Sequence, residues 1–345
     1  MNPPFMAGIL IPLFSIALAL LAGGFFLALS GKAPTEVYQT MFQGAFGSKY
    51  SLTETLVKAI PLALCALGVS LAFRVQLWNI GAEGQFYMGA MAATWVALNN
   101  PDGSRWLVLP AMFLAAAAAG GIWGLLPAIP RAYWKVNETI TTLMLNYVAI
   151  LWVDYLIYGP WKDPNGFNFP LTAPFGKGAV LPSIGNSRIH LGFFLVLLAA
   201  VLIYLILKHT AWGFQLKVVG ESQQAARYSG MNIVKTILLV MFFSGALAGI
   251  AGMTEVSGIA QRLQQGLSPG YGYSAIIIAW LARLNPWAIL MVSFIFGGLL
   301  SGGFSLQTIG LPAASVYMLQ GLILFFVLGG EIFTSYRLKL TGGSR

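Results

Sequence analysis

Apolar residues fall into long runs along this chain, and the polar residues between them come in short clusters. A helix needs about 20 apolar residues to cross a hydrocarbon layer. By that measure ten segments predict helices: roughly 7–29, 54–73, 79–98, 106–129, 137–158, 189–208, 235–255, 273–284, 286–304 and 312–330. The eighth is too short to cross alone and is expected to be tilted, broken or continued into 266–272. Leu284-Asn285-Pro286 signals a turn into the ninth. The pattern predicts an all-α, polytopic membrane protein, one domain over residues 1–345, with about ten transmembrane helices. One or two of them are short or broken, near 74–85 and 266–284, where glycines interrupt the apolar run. The first run, from Ala7 to Leu29, is longer than a signal-peptide core and has no basic residue before it, so a retained span is expected.

Two polar intervals stand out. In 209–234 a helical pattern reappears: Glu221 is expected at a helix N-terminus, where its charge suits the dipole, and Gly230 at the C-cap. Ala225, Ala226 and Ser229 give that helix a small face. It is read either as a docking element for a soluble protein or as an ordinary loop helix on the membrane surface. The interval 159–188 holds Pro160, Pro164, Pro170, Pro174 and Pro182, so it is an irregular loop that either meets a partner or simply connects two spans.

Composition sharpens this picture. The 345 residues are 58% hydrophobic and 8% charged, against about a quarter charged in a soluble domain. The net charge of +9 is explained by topology rather than by nucleic acid, since no Arg-rich tail or basic–aromatic patch is present. With the N-terminus inside, eleven of the 19 Lys and Arg residues fall on the inner side. That places 209–234 and both termini in the cytoplasm. Cys65 is the one cysteine, and His190 and His209 lie far apart, so neither a disulfide nor a metal site is expected.

Candidate chemistry lies in the polar residues at the edges of spans. Asn79, Glu83 and Gln85 sit where the third segment begins. They are read either as a capped helix start, with Asn79 at the N-cap, or as part of a solute pathway. Asn137 and Glu138 open the fifth segment in the same way. Thr142 and Asn146, four residues apart, share a face, and Tyr147 follows. Such groups would suit the hydroxyls and base of a nucleoside or sugar, or would bond one helix to another. Tyr271 and Tyr273, in a stretch rich in Gly and Pro, are read as an aromatic gate or as part of an interfacial belt. Asp154 stands alone in the outer half of the fifth segment, facing a wet cavity or the interface. No catalytic set is present, and no Gly-x-x-x-x-Gly-Lys-Ser/Thr phosphate loop. Leu300-Ser301-Gly302-Gly303 is read as small-residue packing, as are Ala115–Gly121, Gly124 and the Gly245–Gly252 stretch.

Three motifs carry a resemblance: Trp78-Asn79-Ile80-Gly81-Ala82-Glu83-Gly84-Gln85; Val136-Asn137-Glu138-Thr139-Ile140-Thr141-Thr142-Leu143-Met144-Leu145-Asn146-Tyr147; and Gly220-Glu221-x-x-x-Ala225-Ala226-Arg227-Tyr228-x-Gly230. Together they resemble ATP-binding-cassette (ABC) importer permeases of the ribose, nucleoside and branched-chain amino acid branch, most of all those for nucleosides or simple sugars. The likeness runs from about Leu52 onward. Lys217-Val218 departs from it, since many relatives follow the basic residue with alanine. The resemblance implies a multi-pass permease of the cytoplasmic (inner) membrane carrying a nucleoside or related sugar, with approximate repeats in its two halves. The third motif would be the coupling loop, with Gly220, Glu221, Ala225, Ala226, Arg227 and Gly230 meeting a cytoplasmic ATPase. ATP and Mg would lie on that ATPase, with no cofactor in this chain. The other implied partners are a second permease chain forming a heterodimer, an extracytoplasmic solute-binding protein, and lipid. An ion-coupled secondary transporter is the alternative; it would want acidic residues within spans, where only Asp154 and Glu83 qualify.

Overall fold

The computed structural model describes residues 5–29, 31–185, 187–312 and 314–335, and among these it is almost wholly helical. Thirteen α-helices follow one another: α1 Phe5–Leu29, α2 Pro34–Phe46, α3 Lys49–Arg74, α4 Ala82–Asn99, α5 Arg105–Trp134, α6 Glu138–Tyr158, α7 Gly192–His209, α8 Ala211–Glu221, α9 Gln223–Tyr228, α10 Ile233–Glu255, α11 Tyr271–Leu281, α12 Pro286–Leu306 and α13 Ala314–Ser335. Among the described residues, six helices are long and apolar enough to cross a membrane: α3, α5, α6, α7, α10 with its extension to Ala260, and α12 with its extension to Ile309. A seventh appears if Phe14–Leu29 and Pro34–Phe46, bent by 117°, count as one span. About ten is therefore reduced to six or seven by length and composition. The shortfall has local causes. α4 is as long as α7, at 18 residues, but opens with the polar Glu83 and Gln85 and is less apolar. α11 has 11 residues and extends back only to Tyr271, because Gly266 and Gly270 adopt positive φ and Gly270 caps the helix.

Contacts divide the chain into two units, Thr53–Gly297 and the segments on either side of it. In the flanking unit α1 packs along α13. Gly302 lies against the Met41 backbone of α2 and Gly303 against Val316, so 300–303 does serve close packing.

In the Thr53–Gly297 unit, α10 packs against α5 and α4. The seam is glycine on glycine. A methyl on Gly120 would strike the Gly245 carbonyl, one on Gly249 the Ala116 carbonyl, and one on Gly252 the Phe86 carbonyl. Backbones this close gain dispersion contacts that lipid cannot offer. α10 then widens into a π-turn, Val256–Ala260, and Gln261 turns the chain at φ 52°. The loop after α6 is pinned to this turn: Thr172 N–H donates to Leu263 O at 2.9 Å, Phe175 N–H to Gln261 O at 2.8 Å, and Leu181 N–H to Ser257 O at 3.0 Å.

The helix expected over 221–230 begins two residues later. Ser222 is extended and its hydroxyl accepts from Ala225 N at 3.2 Å, so it caps α9. Serine satisfies an orphan N–H at this position where a glutamate further back would not. Glu221 ends α8 instead, 4.0 Å from Lys217 on an exposed face. Gly230, at φ 75°, closes α9: its N–H reaches Arg227 O, and Met231 N–H reaches Ala226 O, both at 3.0 Å.

Candidate functional site

The two interrupted segments meet. Asn79 does not cap α4; Gly81 does, and Asn79 Oδ1 accepts from Gly81 N at 3.1 Å. The Asn79 amide also pairs with the Gln85 amide in both directions, at 3.0 and 3.1 Å, and donates to Ser244 Oγ of α10 at 2.9 Å. Glu83, in the first turn of α4, reaches the first turn of α11, where its carboxylate accepts from Gly272 N at 2.7 Å and from the Ser268 hydroxyl. Glycine is required at 272, since any Cβ there would strike the Glu83 backbone. A carboxylate between two helix N-termini is favoured by both dipoles.

Asn146 closes the same knot from α6. Its oxygen accepts from Gly84 N at 2.8 Å, and its nitrogen donates to Ile80 O at 2.9 Å and to Tyr273 Oη at 3.2 Å. The amide is fully buried and has partners at both ends. Thr142, on the same face, gives its hydroxyl to Glu138 O at 2.7 Å within its own helix. Tyr271 is also fully buried, against Phe86 at 5.7 Å between ring centroids, which removes it from any open rim or interfacial belt.

Beside this knot lies an ion pair that the sequence reading missed. Lys58 Nζ of α3 is 3.1 Å from Glu255 Oε1 at the end of α10, nearly buried, and 5.7 Å from the centroid of the Tyr271 ring. Tyr271 Oη donates to the other Glu255 oxygen at 3.5 Å. A signal was available: both charges fall inside or at the end of apolar runs, where a lone charge is costly.

The opposite face of α6 is different. Its buried side carries Thr142, Asn146, Ala149 and Val153. Its outward side carries Tyr147, Leu151, Tyr155 and Tyr158, all more than half exposed. Tyr147, one residue from Asn146, is thus separated from it by the turn of the helix. The Trp152 and Tyr155 rings lie with centroids 5.7 Å apart and planes tilted by 31°. Asp154 is partly exposed among them and is not alone: Gln265 hydrogen-bonds it, and Tyr158 Oη donates to Gln265 Oε1 at 3.1 Å.

At the other end of the unit, α8 packs against the end of α3. A Cβ on Gly220 would strike Arg74 O, and Gly220 O accepts from Gln76 Nε2 at 2.7 Å. In α9 the expected small face is divided. Ala226 is buried within the chain, whereas Ala225, Arg227 and Tyr228 point outward, Tyr228 being 94% exposed. Any partner of α9 therefore meets Ala225, Arg227 and Tyr228 rather than Ala226.

His190, just before α7, is buried between Gly192 and Gly258, and its Nδ1 accepts from Gly192 N at 3.2 Å. Burial pushes the imidazole down to about 4, so it is neutral at ordinary pH.

Comparison with known proteins matches residues 51–328 to the branched-chain amino acid transport system / permease component family. A glucose ABC transporter permease from Haloferax volcanii is 38% identical, covering 95% of this chain and 89% of its own length. A guanosine ABC transporter permease from Bacillus subtilis is 35% identical over 98% and 97%. A nucleoside ABC transporter permease from Lactococcus lactis is 31% identical over 92% and 90%. Among solved structures, an inward-facing ABC transporter covers 94% of this chain and 99% of its own at a TM-score of 0.48 and 16% identity, a level that bears no weight.

Proposed function

This chain belongs to the branched-chain amino acid transport system / permease component family, and from that premise we propose that it carries a nucleoside inward across the cytoplasmic membrane as one subunit of an ATP-driven importer. Two of the relatives named above carry guanosine or nucleoside in their names and one carries glucose. The observation that favours a nucleoside is the outward face of α6, where Tyr147, Trp152, Tyr155 and Tyr158 offer flat aromatic surface on one helix that also carries the part-exposed Asp154. Flat rings stack on a nucleobase, while a hexose gives them less to hold.

In this reading the remaining machinery lies on partners. A cytoplasmic ATPase with its ATP and Mg meets α9 through Ala225, Arg227 and Tyr228. A second permease chain, in a heterodimer, completes the passage, and an extracytoplasmic solute-binding protein delivers the nucleoside near the 159–188 loop. Both termini are cytoplasmic, in line with the bias in Lys and Arg. An ion-coupled carrier is disfavoured because the relatives named above are ABC transporter permeases, and Glu83, one of its two acidic candidates, is already held by Gly272 and Ser268 and is buried.

The test is uptake of labelled guanosine into vesicles containing the assembled complex. Uptake that needs ATP and persists with an uncoupler supports the proposal. Uptake that collapses with the proton gradient, or that glucose outcompetes, overturns it.

A further inference from the structure

Asp154 is the acidic side chain of α6 that keeps access to the exterior of the chain, and no cation stands within salt-bridge distance of it among the described residues. A carboxylate held at such depth without a cation is unfavourable unless it faces water or a polar ligand. Its neighbours orient it. Gln265 sits between Asp154 and Tyr158: its oxygen accepts from the Tyr158 hydroxyl at 3.1 Å, which leaves its NH2 to donate to the carboxylate. One Gln265 N–H occupies one lone pair, and an ionised carboxylate has about four such sites. The free oxygens therefore remain acceptor-only, one helical turn from the exposed Tyr158 ring.

An acceptor-only group with the Tyr158 ring one turn along matches a ligand with two adjacent hydroxyl donors and a planar base. A carboxylate on ribose hydroxyls is a recurrent solution to that problem in nucleotide-binding folds. We infer that Asp154, oriented by Gln265 and Tyr158, accepts the ribose cis-diol of the transported nucleoside. The inference rests on the nucleoside reading above and adds which part of the molecule is read, and by which residue. Gln265 and Tyr158 are positioning residues, acting through the carboxylate.

The experiment compares uptake of guanosine and 2′,3′-dideoxyguanosine by the assembled complex in vesicles. The wild type is expected to prefer the ribonucleoside by about tenfold or more, the range a charged hydrogen bond supplies. Asp154→Asn should bring that preference close to unity, mainly by raising KM for guanosine, while dideoxyguanosine is barely affected. Gln265→Leu should weaken the preference partway. A merely structural role for Asp154 would depress both substrates together and keep their ratio, which would overturn the inference. Equal uptake of the two substrates by the wild type would overturn it as well, even if Asp154→Asn failed to assemble. Guanosine uptake with an unchanged ratio removes this inference alone; absence of any nucleoside uptake in the wild type removes it together with the nucleoside reading.

Discussion

The two faces of α6 carry similar residues to different ends. On the inner face Thr142 and Asn146 are buried and fully bonded, to their own helix and to the interrupted segments around Gly84 and Tyr273. On the outer face Tyr147, Asp154 and Tyr158 are exposed or partly so, and their polar groups keep room for another partner. A polar side chain in an apolar helix thus has two meanings, and bonding separates them. Where donors and acceptors are matched inside the chain, the residue holds the fold; where they are not, it is available to a solute. By that criterion the inner knot of Asn79, Glu83, Gln85 and Asn146 is the frame, and the outer face of α6 is the surface we propose for the solute.

Breaking the frame should cost most. Lys58→Met leaves the Glu255 carboxylate buried without its cation, and removing one member of such a pair costs about 3–5 kcal/mol. Thermal unfolding in detergent should show it, and Lys58→Met with Glu255→Leu should regain much of the loss. Next comes His190, held neutral between two glycines. Its folded value of about 4 lies below the ordinary 6.5, so the unfolded chain binds the extra proton first. Stability is therefore full above about pH 6.5 and declines as pH falls toward 4, by about 3 kcal/mol at most. His190→Gln should flatten that slope in a pH series. Asn146→Leu, which orphans the Gly84 N–H and the Ile80 carbonyl, should cost about 1–3 kcal/mol and lower the yield of assembled complex. Tyr155→Leu, on the outer face, should change stability by less than about 0.5 kcal/mol yet depress nucleoside uptake. If Tyr155→Leu destabilised as much as Asn146→Leu, the contrast between the faces would be lost.

Much of the fold was legible because apolar run length is a direct physical requirement of a membrane. The helix ends were less so. α4 starts three residues into its apolar run because Gly81 caps it, while α11 starts two residues before its run, behind Gly270, and ends three residues early, where Arg283 and Leu284 turn at positive φ. The Asn137 cap was readable, since its oxygen bonds Thr139 N two residues away. The Ser222 cap was masked by a glutamate one residue earlier that also suits a helix start. In the site, residue type pointed to Asn79, Glu83, Gln85 and Asn146, and they do gather. That they bond one another, and that Lys58 lies across from Glu255, 197 residues away, follows from a tertiary approach that no local pattern encodes.

The claim that α6 divides into a framing face and a solute-facing one is tested most directly by thiol labelling at two positions two residues apart. In a Cys65→Ser background, Tyr147→Cys and Ala149→Cys would each be exposed, within the assembled complex, to a membrane-impermeant sulfonate reagent. Tyr147→Cys should react, and excess guanosine should slow the reaction; Ala149→Cys, buried against the frame, should stay unmodified until the protein unfolds. Reaction at Ala149→Cys, or a Tyr147→Cys that is inert or indifferent to guanosine, would contradict the account.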